Sequence, residues 1–301
     1  MIPALLVCLG AGALFGLLAA PLGRRVAPRP ATWLLTLGSV LTAGASAFAL
    51  AATALLWIGQ LAPVAALGDW SASTLHHTTP VPPPVAAAAG VALVALLVSA
   101  VACAVSRGLS VYRSYRTFAG VAAPGQVAVL DSPVPEAFAT PEPAGRIIVT
   151  SALVGVLDDG ERRALIAHER SHLLHRHAWW RIAAELAAAA NPLLRPAAGV
   201  VRDAVERWAD EDAAAAVGDR RVVARAISRA ALARRRAPVT AASGGQVPQR
   251  VRALLAPVAP RRPALAVVLV VLLAVTAAGA LAVEHTGDAV FDHAAVSAGR
   301  D

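Results

Sequence analysis

The chain has 301 residues, of which 57% are hydrophobic and only 15% charged, and it carries a net charge of +8. An ordinary soluble domain holds about a quarter charged residues, so this composition, with a mean hydropathy of +0.61, argues against two soluble domains and for long apolar spans. Every basic residue outside the histidines is arginine, and where those arginines sit decides among nucleic acid, an anionic surface and the inward loops of a membrane protein.

A spanning helix needs about 20 mostly apolar residues. Stretches Ile2 to Ala20, Trp33 to Ile58, Val85 to Ser106 and Pro263 to Val283 meet that length without Asp, Glu, Lys or Arg. Leu18-Ala19-Ala20 would suit a signal peptidase, but a signal peptide carries its positive charge before the apolar run. Here Arg24 and Arg25 follow it, which predicts a retained helix with its N-terminus outside. Arg24, Arg25 and Arg29 fill the first loop, and the second loop, Gly59 to Pro84, holds Asp69 and no Arg. Most remaining arginines lie between spans three and four, whereas Glu284, Asp288, Asp292 and Asp301 follow span four against a single Arg300. The positive-inside rule then puts loops one and three in the cytoplasm and both termini outside. Nucleic acid is not expected to bind directly, because no nucleic-acid motif accompanies the arginines. Cys8 and Cys103 sit in apolar runs and read as buried filler.

Residues from Arg107 to Arg262 are enough for a folded domain, expected over 107–250 with a flexible linker at 237–249 before span four. Gln126 to Leu130, Ala137 to Thr140 and Arg146 to Thr150 read as short strands punctuated by Pro and Gly. Acidic residues Asp158, Asp159 and Glu161 lead a helix expected to run from Asp159 to Trp180. Asn191-Pro192 breaks the next helical stretch. A helix from Ala198 to Val217 and a basic one from Arg220 to Arg236 follow. The residues after Val283 read as a short outer tail, and the second loop, with His76, His77 and a proline run, as a solvated connection.

His168-Glu169-Arg170-Ser171-His172 is a complete HExxH on that first helix. Residues four apart share a helix face, so both imidazoles can reach one Zn²⁺, expected at one ion per chain. Glu169 stands beside the first ligand, where a carboxylate can take a proton from water and return it to a leaving amine. A catalytic zinc wants a third protein ligand. The position where some peptidases carry a third His holds Ala178, so a carboxylate on a later helix is needed. Glu206 and Asp210, also four apart, offer a ligand and a partner to orient an imidazole. By spacing alone Glu185, Asp203, Glu211 and Asp212 remain rivals.

The stretch from Arg146 through the HExxH to His177, with Glu206 and Asp210 downstream, resembles the membrane gluzincins. Two branches fit: the CAAX-prenyl and heat-shock-type membrane peptidases, and the beta-lactam-sensor peptidases. The resemblance implies a multi-pass α-helical membrane protein of four spans. Between spans three and four it implies a mainly helical, small-sheet zinc peptidase domain. It favours Glu206 as third ligand and Asp210 as its Glu-x-x-x-Asp companion. It also places His177 where the first branch often has a His, and Ala137-Phe138-Ala139 where an extended substrate adds to a sheet edge. The Asn common before that strand is Glu136 here, and a large outer domain like that of the sensors is not expected after span four.

The expected activity is that of a zinc metalloendopeptidase acting on a protein or peptide at the cytoplasmic face of a bacterial plasma membrane. Candidate substrates are a transcriptional repressor, a misfolded membrane protein or the chain's own linker. A stimulus-gated receptor whose peptidase relays a signal is the second reading, and a non-catalytic zinc scaffold the third. Glu169 argues against the scaffold, which would need the ligands but not that carboxylate.

Overall fold

A computed structural model of the chain describes residues 2–79, 81–236, 247–257 and 263–298. In chain order, α1 (Ile2–Gly23) and α2 (Pro28–Ile58) are followed by two short helices, α3 (Ala62–Leu67) and α4 (Ala72–Thr78), and then by α5 (Pro83–Phe118). The last helix is α12 (Pro263–Ala298). Among the described residues, α1, α2, α5 and α12 are the 4 helices long and apolar enough to cross a membrane. Helices α1, α2 and α12 pack together through small residues, as spans do where lipid offers no hydrophobic drive between helices. A Cβ on Gly279 of α12 would stand 2.9 Å from the backbone of Cys8 in α1. Along α5, Val91, Val94, Leu97, Val98 and Val101 are exposed, an apolar face that suits hydrocarbon and not water.

Two expectations at the end of the bundle holding the second loop are corrected. Residues 284–298, read as a tail, continue α12, because no proline interrupts them and Phe291 finds a partner in the second loop. Trp70 meets Phe291 edge-on at 5.0 Å, and Ser71 N–H donates to Ala294 C=O at 3.0 Å. The second loop itself folds into α3 and α4 over a small core of Leu56, Leu75, Val81 and Ala294.

The segment between α5 and α12 begins with a three-stranded sheet: β1 (Val127–Leu130), β2 (Ala137–Ala139) and β3 (Ile147–Thr150), in the order β1-β3-β2. Strand β3 is central and buried throughout, parallel to β1 and antiparallel to β2. The buried Arg146 leads into it, pairing with Glu142 at 2.8 Å and donating to Ala122 C=O, which ties the end of α5 to the sheet.

Then come α6 (Ser151–Val156), α7 (Asp159–Leu174), α8 (His177–Ala190), a 3₁₀ turn (Pro192–Leu194), α9 (Arg195–Val217), α10 (Arg220–Arg236) and α11 (Val247–Leu255). A complete capping box starts α7. The Asp158 carboxylate accepts from Glu161 N–H at 2.9 Å, and Glu161 accepts from Asp158 N–H at 3.1 Å. Helix α7 stops at Leu174 and not at Trp180: Arg176 takes a left-handed φ of 53° and the chain restarts as α8. The break splits the two tryptophans. Trp180 stacks on Trp33 of α2 with centroids 5.8 Å apart, while Trp179 faces a cleft.

Helices α8 and α9 form a hairpin whose tip enters the bundle of spans, although the whole stretch read as part of a cytoplasmic domain. Asn191 donates from Nδ2 to Ser46 Oγ of α2 at 3.2 Å. Ser46 stands ~20 Å along α2 from Trp33, at 1.5 Å rise per residue. Gly16 of α1 makes room for the tip, since a Cβ there would come within 2.7 Å of Leu193 C=O. Phe15, Leu35, Ala184, Leu194, Val201 and Leu269 therefore share one core. The stretch escaped hydropathy because α8 has only 14 residues and contains Glu185. Arg107 answers that charge at 2.8 Å and Arg202 at 3.8 Å.

Residues 247–249, expected to close a linker, form the first turn of α11. Its Leu254 is buried against α7, α9 and α10 beside Ala164, Ala213 and Val223. The rest of the expected linker, 237–246, lies outside the described residues.

Candidate metal centre

The break at His175–Arg176 lets α7 run beneath α9 while α8 turns away into the bundle. Two contacts fix the α7–α9 pair at its far end. Ser171 Oγ donates to Asp212 at 2.6 Å, and His175 Nε2 lies 3.0 Å from the same carboxylate. In between, residues four apart on α7 meet residues four apart on α9.

His168 and His172 face each other with Nε2 atoms 3.2 Å apart. Each Nε2 is 3.7 Å from a carboxylate oxygen of Glu206. Among the described residues these three are brought together as a possible metal-holding group, with ligand atoms within 4.8 Å of one another. The spacing bears directly on the metal. Four ligands about 2.0–2.1 Å from a tetrahedral zinc stand ~3.3 Å from each other; the imidazole pair already has that separation, and the Glu206 carboxylate, which meets the two rings through different oxygens, closes the third side. The rival carboxylates have other partners or lie elsewhere: Glu185 pairs with Arg107, Glu211 with Arg220, and Asp212 with the far end of α7.

The other ring nitrogen of each histidine is also met. His168 Nδ1 is 3.0 Å from Asp210 Oδ1, and His172 Nδ1 is 3.0 Å from His177 Nδ1. His177 is fully buried and stands against the Trp208 ring at 4.8 Å. Trp208 also stacks on His175 at 4.5 Å, and Arg29 in the first turn of α2 reaches over it at 5.5 Å.

The electrostatics follow from burial and pairing. Burial disfavours a charged His168, yet its contacts with Asp210 and Glu206 outweigh that and raise it to about 10. Burial, reinforced by His168, drives His172 down to about 3, and burial with its histidine neighbours does the same to His177. Burial also pushes the Glu169 carboxyl above its usual range. Glu206 and Asp210 lie below theirs despite burial, held down by His168 and, for Asp210, first by Arg250.

Arg250 of α11 is the site residue that sequence reading missed. Its Nε and Nη2 grip Asp210 at 2.8 and 2.6 Å, and its Nη1 lies 3.0 Å from Glu206. No motif flagged it, because it stood at the edge of an expected linker.

A cleft of about 310 Å³ opens beside the cluster, lined by β2, Glu169, Leu173, Trp179, Ile227 and Arg234 among others. Strand β2 is an edge strand. Thr150 N–H donates to Glu136 C=O, and Thr140 N–H to Arg146 C=O. By alternation the amides and carbonyls of Ala137 and Ala139 point away from β3, toward the cleft. The Ala139 backbone also helps stabilise the Glu169 carboxylate.

Residues 106–230 match Peptidase family M48, a stretch that carries His168, Glu169, His172, His177, Glu206 and Asp210 but ends before Arg250. The stretch similar to that peptidase family thus stands between the third and fourth of the membrane-length helices and holds the histidine–glutamate cluster. It is also similar to a protein named "Protease HtpX homolog" from Acidiphilium cryptum (strain JF-5), 48% identical over 56 residues. That match covers 18% of this chain and 19% of the relative, so the chain spans about a fifth of the relative's length. No solved structure matches.

Proposed function

We propose that the chain is a bacterial membrane zinc metalloendopeptidase that hydrolyses peptide bonds of a protein substrate at the cytoplasmic membrane face. The observation that carries this reading is the HExxH pair converging with Glu206 at zinc-compatible spacing, next to a buried Glu169 and an open strand edge.

In this reading His168, His172 and Glu206 hold Zn²⁺, and Asp210 orients His168. Zinc, when bound, would lower the pKa of water toward ~7 and polarise the scissile carbonyl. Glu169 takes the proton from the attacking water and delivers it to the departing amine. Its burial suits the first role, since a carboxylate with a raised pKa is a stronger base and holds the proton it takes until the amine receives it. Ala137, Phe138 and Ala139 present their free edge to an extended substrate, which adds as a further strand and places its carbonyl beside Glu169.

In this reading the peptidase domain occupies 107–250, and charge and one contact support its cytoplasmic placement. Arg29 over Trp208 puts the first, arginine-bearing loop at the same end of α2 as the metal cluster. The positive-inside rule assigns that end to the cytoplasm. With the α8–α9 hairpin seated among the spans, the cleft lies close to the bilayer, which favours membrane proteins or their juxtamembrane segments as substrates.

The test is purified wild type against Glu169→Gln in detergent, reading zinc content together with cleavage of unfolded casein. Zinc in both and cleavage in wild type alone is expected, with the variant's rate down at least ~100-fold. Absence of zinc from both would overturn the reading.

A further inference from the structure

We propose that Arg250 is a positioning residue of the metal centre, a clamp that α11 brings in from beyond the matched peptidase stretch to lock Asp210, and through it His168, into ligand geometry. The inference rests on the metallopeptidase reading and adds a residue and an element to it.

Three observations carry it. First, the guanidinium is mostly buried and its donors are directed at the centre: Nε and Nη2 form a two-pronged grip on Asp210 at 2.8 and 2.6 Å, while Nη1 reaches Glu206 Oε2 at 3.0 Å. Only a planar fork can hold one carboxylate with two nitrogens and a second carboxylate with the third. Second, the chain of contacts is continuous. Asp210 Oδ1, the oxygen gripped by Nη2, is also the one 3.0 Å from His168 Nδ1. Fixing that oxygen fixes the carboxylate that His168 Nδ1 meets, on the far side of the ring from the Nε2 that faces His172, Glu206 and, at 3.5 Å, Arg250 Nη2. Third, the grip is built into packing. Leu254, one turn along α11 from Arg250, is 3% exposed in the core shared by α7, α9 and α10. Arg220 Nη2 donates to Ala253 C=O at 3.0 Å, pinning the same helix to the start of α10.

Two buried carboxylates within reach of one imidazole would repel each other without a counter-charge. Arg250 supplies that charge from beside the ligand cluster, its Nη2 3.5 Å from His168 Nε2 and its Nη1 on the Glu206 oxygen that faces the same ring, so it holds both carboxylates and borders the metal position itself. Metal retention is thereby made conditional on the docking of α11, the element that leads into the last membrane-length helix.

The test uses the full-length protein in detergent, with wild type, Arg250→Gln, Arg250→Lys, Asp210→Asn and the double variant Arg250→Gln/Asp210→Asn. Zinc affinity is read by chelator competition, and ligand geometry by the visible absorption of the Co²⁺-substituted protein. Arg250→Gln and Asp210→Asn are each expected to weaken zinc binding by about 10–100-fold, as loss of a ligand's hydrogen-bonding partner does, and to shift the Co²⁺ bands alike. The double variant should be no weaker than the worse single one. Arg250→Lys, which keeps the charge and the chain but not the fork, should recover less than half of the loss on a logarithmic scale and keep the wild-type melting temperature. Unchanged affinity and Co²⁺ bands in Arg250→Lys and Arg250→Gln would overturn the clamp. So would tighter zinc binding, which would make the arginine a competitor for the ion's place, or full independence of the two single losses. Wild type that binds no zinc would instead fail the metallopeptidase reading itself.

Discussion

His177 stands at the point where α7 gives way to α8, and the left-handed Arg176 before it is what turns its ring back toward the metal cluster. Both His172 and His177 are held neutral by burial. Their Nδ1 atoms, 3.0 Å apart, can therefore share one proton, and with that proton on His172 its Nε2 is left as a lone pair facing His168. The ring of His177 also fills space against Trp208. His177→Phe would preserve that packing and remove the nitrogen. We expect zinc affinity to fall by about 10–100-fold with little change in melting temperature. Chelator competition checks this, and an unchanged affinity would mean that His172 is oriented without His177. The HExxH and the Glu206–Asp210 pair were legible as residues because residues four apart must share a helix face. Their convergence was not, because spacing along one helix says nothing of which other helix faces it. The same holds for Arg250, whose role exists only where α11 lies against α9.

At the scale of elements, the α8–α9 hairpin joins the peptidase unit to the spans. Its seat depends on Gly16, where any side chain would collide with Leu193 C=O 2.7 Å from the Cβ position. Gly16→Leu should force the tip off α1 at a cost of about 1–3 kcal/mol, the usual range for overpacking a close contact. The loss should show as a lower melting temperature and as faster proteolysis near Asn191. A variant as stable as wild type would mean that the hairpin is not seated against α1. Periodicity and hydropathy found the strands, the acid-led start of α7 and the apolar helices. They misplaced the end of α7, the last turns of α12 and the hairpin. The first depends on one backbone torsion, the second on a partner, Trp70, far away in the chain, and the third on Arg107 neutralising Glu185.

For the molecule as a whole, the metal reading has a thermodynamic consequence. An ion bound by residues of α7 and α9 ties those helices together, and a ligand held only by the folded state stabilises it by mass action. Stripping zinc with a membrane-compatible chelator should lower the melting temperature of wild type and much less that of Glu206→Ala. At free zinc ~100 times the dissociation constant the stabilisation is about 2.7 kcal/mol. Equal melting temperatures with and without chelator in wild type would count against a metal shared between the two helices.

What the sequence determined by itself was local or additive: apolar length, the sign of charge on each loop, and the identity of residues one helical turn apart. Each of these depends on neighbours within a few positions or on a sum over a segment. What only the tertiary structure decided was which carboxylate faces the histidine pair, that the hairpin tip lies among the spans, and that an arginine at the edge of the expected linker closes the site. Those are contacts between residues separated by up to 145 positions, and no local preference specifies them. They are set by which faces can be buried together, and by the need of each buried charge for a partner.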